Sequence, residues 1–179
     1  MLEHYKHIHF IGIGGAGMSA LAYVLVKRGF EVTGSDLHAG HMAAQLAEAG
    51  AMVFMGHDAS QIDGADAVVI SSAIHADNAE LQAARAKGIP VLHRSDVLAE
   101  LLNDDKAKGV AVAGAHGKTT TTSMLSEILV ECGLDPSVHI GGKPKNASAR
   151  CWLKPWAATR GTAPAPGSWR SPTKATAPS

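Results

Sequence analysis

The feature that most constrains the fold is a glycine-rich segment, GIGGAG at residues 12–17. It follows the apolar run HIHFI and precedes a helical pattern that ends at Gly29. Each glycine would destabilise a continuous helix by about 1 kcal/mol relative to alanine. The uncharged stretch from Phe10 to Val26 is therefore interpreted as a strand, a turn and a helix. A signal peptide or membrane span fits it less well, and the protein is predicted to be cytoplasmic.

Short apolar runs alternate with helical patterns through the first part of the chain. Strands are predicted at HIHFIG, FEVTGSD, MVFMG, ADAVVISSAI and IPVLH. Helices are predicted at GMSALAYVLVKRG, HMAAQLAEAG, NAELQAARAKG and SDVLAELLND, with Ser95 as the N-cap of the last. This alternation is typical of the α/β class. It predicts a Rossmann-like parallel sheet with helices on both faces, formed by residues 1–105.

Charge and cysteine content argue against several kinds of partner. Lys plus Arg and Asp plus Glu each number 16, so the formal net charge is zero. Neither a nucleic acid nor a membrane is therefore expected as a partner. The ten histidines show no metal-ligand spacing, and Cys132 and Cys151 form no motif. The cysteines favour a reducing compartment, and no protein partner can be inferred.

The first glycine segment has the context of a dinucleotide-type phosphate loop, a strand before it and a helix after it. Gly12 would allow the turn, and Gly14 and Gly15 would let a pyrophosphate approach the backbone. Gly17 would let the helix pack close to the strand, and the amides of residues 16–19 would point at phosphate oxygens. Asp36 ends the second strand, where a ribose or base contact is expected. The motif fits NAD, a nucleotide-sugar diphosphate, or a tight turn without a ligand.

A second glycine segment, GAHGKTTTT, begins at Gly114. Lys118 can reach the β- and γ-phosphates of ATP, and the hydroxyl of Thr119 can bind Mg²⁺. The usual spacing would place a glycine at position 112, where this chain has Val112, and Gly114 takes the earlier place. A strand before the loop and a helix from about Lys118 to Cys132 are predicted around it. The alternative is a chance GKT sequence at the start of a helix.

The residues after the second loop differ in composition. Residues 143–179 contain no Asp or Glu, and most of the prolines of the chain lie there. No apolar periodicity continues into them, so this tail is predicted to be disordered. The beginning of a second domain is predicted over residues 108–142, after the polar break NDDKAKG.

Three segments carry a resemblance to a known family: HFIGIGGAGMSALAYVL, SDVLAELL and VAVAGAHGKTTTTSML. Together they resemble the Mur ligases, over residues 5 to about 142. The resemblance implies a Rossmann-like UDP-substrate domain, a central P-loop ATPase domain and a third, C-terminal domain. It implies the ATP-dependent joining of L-alanine to UDP-N-acetylmuramate through an acyl phosphate in peptidoglycan synthesis, with ATP and Mg²⁺ as cofactors.

The resemblance also assigns roles to residues. The first loop would hold the UDP pyrophosphate rather than NAD. Lys118 would stabilise the transferred phosphoryl group and Thr119 would hold Mg²⁺. The residues expected to contact the UDP sugar are Gly12, Gly14, Gly15, Ala16, Gly17, Met18, Ser19, Asp36, Ser71 and Ser72. Those expected to contact ATP are Gly114, Ala115, His116, Gly117, Lys118, Thr119 and Thr120, where Ala115 replaces a threonine common in the family.

Several parts of the family pattern have no counterpart in the sequence, including its metal-binding glutamate and its amino-acid-binding domain. The chain is therefore expected to be a fragment, and to show no alanine-dependent ATP turnover alone. The alternatives are a non-catalytic UDP-sugar or nucleotide-binding module and an NAD-dependent oxidoreductase domain. The tail is hypothesised to be read out of frame, from a point between Gly142 and Ser171. One codon set for PTKATAPS, shifted by one frame, gives an acidic Asp-Glu-Ser-Asp-Gly-Ser segment like that of the family.

Overall fold

The computed structural model describes residues 2–38, 40–103, 109–134, 136 and 138–140. Strands and helices alternate through the first part of the chain, as the sequence predicts. The strands are β1 (His7–Ile11), β2 (Glu31–Asp36), β3 (Met52–Met55), β4 (Ala67–Ile70) and β5 (Val91–His93). The helices are α1 (Ala16–Lys27), α2 (His41–Ala49), α3 (Ala79–Ala86), α4 (Arg94–Leu102) and α5 (Lys118–Glu131). Two 3-10 helices span Leu2–His4 and Ala59–Ile62.

The five strands form one parallel sheet in the order β3-β2-β1-β4-β5. Parallel strands need crossover connections, and α1, α2 and α3 supply them between the paired strands that follow one another in the chain. The predicted α/β fold with a parallel sheet is confirmed. All carboxyl ends of the strands lie at one edge of the sheet, which is the edge that carries the first glycine segment.

The sheet buries apolar side chains on both faces because helices cover both. On one face, Ile8 and Phe10 of β1 pack with the apolar sides of α1, α2 and α4. On the other face, Ile11 packs with α3 and the 3-10 helix at Ala59–Ile62. Successive residues of β1 point to opposite faces, so His9 lies on the α3 face, where it is fully buried.

Gly34, in the middle of β2, pairs with Phe10 of β1. A Cβ atom at this glycine would lie 2.6 Å from Cδ1 of Ile13 and 2.7 Å from the carbonyl oxygen of Phe10. Ile13, the second residue of the first glycine loop, is itself fully buried. The side chain of Ile13 therefore packs directly against the backbone of β2 at Gly34.

The start of α4 differs from the prediction. The N-cap is His93, whose side chain accepts from the amide of Ser95, so Ser95 does not cap the helix. The carboxylate of Asp96 accepts in return from the amide of His93 at 3.0 Å, which completes a capping box. A histidine at the N-cap is uncommon, and this is why the nearby serine was the more obvious candidate.

The predicted strand before the second glycine segment is not formed. Residues 109–113 have no regular secondary structure, although α5 forms close to its predicted limits. A strand requires a neighbour with which to share backbone hydrogen bonds. None of the five strands in the described part of the chain pairs with this segment.

The predicted tail, and with it the reading-frame hypothesis, lies outside the described residues. Across the part of the chain that the structure describes, no helix is both long enough and apolar enough to cross a membrane. The interpretation of the uncharged stretch at Phe10 to Val26 as strand, turn and helix agrees with β1 and α1.

Candidate functional site

The first glycine loop is held by the end of β2. The amides of Gly12 and Ile13 both donate to the carbonyl oxygen of Ser35, at 2.8 and 2.9 Å. The next amide, that of Gly14, donates to Oδ2 of Asp36 at 2.9 Å. Three consecutive loop residues are thus bonded to two consecutive residues of β2. The position of the loop therefore depends on the position of this strand end.

The loop leads into the N-terminus of α1, where three amides precede the first helical hydrogen bond. Gly15 is the N-cap, and no side chain caps the helix. The first helical bond runs from the amide of Ser19 to the carbonyl oxygen of Gly15 at 2.8 Å. The amides of residues 16–18 can therefore bind an anion, which the helix dipole also favours. The Ser19 amide, expected among the phosphate ligands, is used within the helix instead.

Asp36 lies beside the loop, and both oxygens of its carboxylate contact backbone amides. Oδ2 accepts from Gly14, and Oδ1 accepts from the amide of His38 at 3.0 Å. A Cβ atom on Gly14 would lie 2.9 Å from Oδ2. The absence of a side chain at Gly14 therefore makes room for the carboxylate of Asp36. This requirement holds whether or not a ligand binds at the loop. The expected contact of Asp36 with a ribose or base stays a prediction, for which each oxygen keeps a lone pair.

The side chain of Arg94 lies across the first turn of α1. A Cβ atom on Gly17 would lie 2.7 Å from Nη1 of this arginine. Gly17 was expected to allow close packing of the helix on a strand, but its neighbour is this guanidinium. Arg94 is the half-buried first residue of α4, directly after β5. A cation here adds to the attraction of the free helix amides for an anion.

Arg94 is not among the residues predicted to form the site, although the sequence contains a signal for it. A basic residue directly after a predicted parallel strand lies at the same sheet edge as the glycine loop. In the segment after α5, burial and then the charge of Arg94 lower the pKa of His139 below its usual value. His139 is therefore mostly neutral at neutral pH.

Ser71 and Ser72 follow β4 at the same sheet edge. A Cβ atom on Gly12 would lie 3.3 Å from Cδ1 of Ile74, so the turn after β4 packs against the glycine loop. The carbonyl oxygen of Ser71 accepts from the amide of Ile74 at 3.1 Å. Ser72 is exposed. The structure brings this turn next to the loop, and the contact of its serines with a UDP sugar stays a prediction.

The second glycine loop leads into α5 through Gly117, the N-cap, which has a left-handed conformation with φ of 80°. The first helical bond runs from the amide of Thr121 to the carbonyl oxygen of Gly117 at 2.9 Å. The amides of residues 118–120 precede that bond and can bind phosphates. Nζ of Lys118 folds over the loop and donates to the carbonyl oxygens of Gly114 at 2.5 Å and Ala115 at 3.0 Å.

The residues of the second loop fit the phosphates of ATP. They are exposed, including His116 and Thr120, and they combine free amides with the charge of Lys118. The fit to Mg²⁺ rests on one hydroxyl, that of Thr119. Mg²⁺ keeps several waters and takes further ligands from phosphates, so one protein oxygen is compatible with it. Within the described residues, no group of three His, Cys, Asp or Glu could hold a metal ion.

Comparison with known proteins gives matches over most of the chain. A model described as "Mur ligase family, catalytic domain" matches residues 7–106. The UDP-N-acetylmuramate–L-alanine ligase of Burkholderia multivorans is 51% identical over 148 residues, which cover 83% of this chain and 31% of the relative. The enzyme of the same name from Leptothrix cholodnii is 53% identical over 153 residues, which cover 86% and 32%.

Two solved structures are similar in fold and sequence. The UDP-N-acetylmuramate-alanine ligase of Thermotoga maritima has a TM-score of 0.72 at 37% identity and covers 78% of this chain and 32% of its own. The UDP-N-acetylmuramate:L-alanyl-gamma-D-glutamyl-meso-diaminopimelate ligase of Neisseria meningitides has a TM-score of 0.72 at 40% identity, covering 83% and 46%. This chain spans about a third of the length of the curated relatives that it matches.

Proposed function

The chain belongs to the Mur ligase family, and we propose that its first domain binds UDP-N-acetylmuramate for cytoplasmic peptidoglycan synthesis. The observation that carries this proposal is the start of α1. Three free amides of its first turn and the guanidinium of Arg94 meet beside a glycine loop that β2 holds in place. This arrangement suits the two negative charges of a pyrophosphate.

The activity that we propose for the whole protein is the formation of an amide bond between UDP-N-acetylmuramate and L-alanine. In this reaction the substrate carboxylate is activated as an acyl phosphate, and the amine of L-alanine then displaces the phosphate. ATP would supply the phosphoryl group at the second loop. There Lys118 and the amides of residues 118–120 would bind its phosphates, and Thr119 would be the protein ligand of Mg²⁺.

We also propose the domain limits that the sequence predicts, residues 1–105 for the UDP-substrate domain and 108–142 for the start of the ATPase domain. The last strand of the sheet is β5 and the last helix that packs on it is α4, which ends at Leu102. The helix α5 leaves large apolar side chains exposed, including Met124 and Ile128. This supports a separate second unit whose packing differs from that of the first.

Calorimetric titration of the 179-residue chain tests the proposed ligand. We expect UDP-N-acetylmuramate to bind with one site per chain, and ATP to bind separately in the presence of Mg²⁺. NAD, the ligand of the oxidoreductase alternative, should give no binding heat. Binding of NAD but not of the UDP sugar would favour the oxidoreductase alternative. Binding of the UDP sugar without binding of ATP would favour the non-catalytic UDP-sugar-binding module.

Arg94 gives a second test of where the pyrophosphate lies. We expect Arg94→Ala to weaken binding of UDP-N-acetylmuramate by roughly tenfold to a hundredfold, the usual effect of losing a hydrogen bond to a charged group. Uridine, which has no phosphate, should bind equally to both proteins. Arg85→Ala is the matched control, since Arg85 is exposed on α3 at the other face of the sheet. An unchanged affinity for the UDP sugar in Arg94→Ala would place the pyrophosphate away from this guanidinium.

A further inference from the structure

A buried polar cluster lies behind the first glycine loop, on the α3 face of the sheet. Its centre is Glu80, whose side chain is fully buried although its residue type is rarely buried without partners. A buried carboxylate is costly unless hydrogen bonds compensate for lost water. The residues of this Glu80 cluster come from β1, β2, α3 and the turn after β3, and they are His7, His9, Thr33, Ser35, His57 and Glu80.

One oxygen of Glu80 is fixed by two donors. The hydroxyl of Ser35 donates to Oε2 at 2.6 Å, and Nδ1 of His57 lies 2.9 Å from the same oxygen. Nδ1 of His57 also lies 2.9 Å from Oγ of Ser35. The three side chains therefore form a closed triangle in which Glu80 restrains the side chain of Ser35.

The other oxygen of Glu80 ends a chain of contacts across the sheet. Nδ1 of His7 faces the carbonyl oxygen of Gly64 at 2.8 Å and must donate to it. Nε2 of His7 and Nδ1 of His9 both lie within 2.9 Å of the hydroxyl of Thr33. Nε2 of His9 lies 3.3 Å from Oε1 of Glu80. Neither of these last two atoms has a hydrogen-bond partner.

The hydrogens available to this chain do not match the number of contacts. Three hydrogen bonds link Gly64, His7, Thr33 and His9, and each uses one hydrogen. Two neutral imidazoles and one hydroxyl supply these three hydrogens. None is left for a hydrogen bond between Nε2 of His9 and Oε1 of Glu80, which lie side by side without one. A glutamine at position 80 would supply the missing hydrogen from its amide.

The Glu80 cluster is connected to the glycine loop through Ser35. The backbone carbonyl of this residue accepts from the amides of Gly12 and Ile13, and its side chain is the one that Glu80 restrains. We propose that Glu80 is a positioning residue for the pyrophosphate loop, acting through Ser35. This inference rests on the proposed binding of a UDP sugar at that loop. Glu80 itself is fully buried behind the strand end that carries the loop, so it acts on the loop only through Ser35.

Three variants of the full chain test this role. Glu80→Leu removes the acceptor for Ser35 and His57, and we expect it to weaken UDP-N-acetylmuramate binding by about tenfold or more, because misplaced groups bind poorly. The amides of Gly12 and Ile13 should then exchange with solvent faster in the ligand-free protein. Glu80→Gln keeps the acceptor and donates to His9, so its affinity and exchange rates should remain close to those of the wild type. Ser35→Ala should resemble Glu80→Leu while keeping the contact between Glu80 and His57.

Leu81→Ala is the matched control for a loss of stability alone. Leu81 is the buried neighbour of Glu80 in α3, so this variant should unfold at lower denaturant concentration but bind the UDP sugar like the wild type. All affinities are measured where circular dichroism shows each variant folded. If Glu80→Leu does not fold, Ser35→Ala decides the outcome. Normal affinity and protected Gly12 and Ile13 amides in the folded variants would overturn the proposal. Failure of the wild type to bind UDP-N-acetylmuramate would instead contradict the proposed function, and amide exchange would still test Glu80.

Discussion

Gly34→Ala is expected to destabilise the protein by about 3 kcal/mol, the upper end of the usual range for overpacking. The added methyl group would lie 2.7 Å from the carbonyl oxygen of Phe10, which is part of the sheet backbone and cannot move away. It would also lie 2.6 Å from Cδ1 of Ile13 and push this buried side chain out of place. Urea unfolding followed by circular dichroism measures the effect, and the thermal midpoint should fall by roughly 10 °C or more.

Gly40→Ala is the matched control for this substitution. Gly40 is the N-cap of α2 with φ of −87°, and a Cβ atom there would meet nothing within 4 Å. Its change in stability should stay within about 1 kcal/mol, which is the size of an N-cap effect. Equal stability of Gly34→Ala and Gly40→Ala would mean that β2 and the glycine loop can separate without cost.

Gly15→Val is expected to abolish binding of UDP-N-acetylmuramate, with an affinity loss of about a hundredfold or more, and to leave the fold intact. Gly15 is exposed and has an ordinary extended conformation, with φ of −62° and ψ of 139°, which valine also adopts. A Cβ atom there would make only ordinary contacts, the closest being 3.4 Å from the carbonyl oxygen of Gly12. The isopropyl group would instead occupy the space above the free amides of α1.

Calorimetry with the UDP sugar, together with far-ultraviolet circular dichroism, separates the two expected effects of this valine. Ala44→Val places the same side chain on an exposed position of α2, away from the loop, and should bind normally. Retained affinity in Gly15→Val would mean that the sugar nucleotide binds elsewhere on the chain.

Local sequence patterns predicted most of the strands and helices between residues 7 and 102, because these have clear periods and glycine ends. They placed β1, α1, β2 and α2 within one or two residues of their limits in the structure. The strand expected before the second loop does not form. A strand needs a partner strand, and a local sequence pattern does not show whether one is present. The histidine N-cap of α4 was missed because its competitor, Ser95, is the stronger cap by residue type.

The contacts around the glycine loop were the least predictable part. The motif located the loop itself, but its neighbours come from distant segments. Arg94 reaches Gly17 from the opposite end of the domain, and Glu80 meets His9 across 71 positions of sequence. Neither pair has a local pattern, because each depends on which strands lie side by side. Counting histidines by spacing could not reveal that His7, His9 and His57 gather at one carboxylate.

In the strand order β3-β2-β1-β4-β5, the connections run in opposite directions on the two sides of β1. From β1 the chain crosses to β2 over one face of the sheet, through α1, and from β4 it crosses to β5 over the other face, through α3. In open sheets of this kind, ligands bind outside the carboxyl ends of the strands, where the connections diverge. Connectivity thus fixes where a ligand is expected, and the proposed site residues, the loop glycines and Arg94, lie at that edge. We therefore expect that substitutions at this edge could alter ligand preference without any change to the sheet beneath.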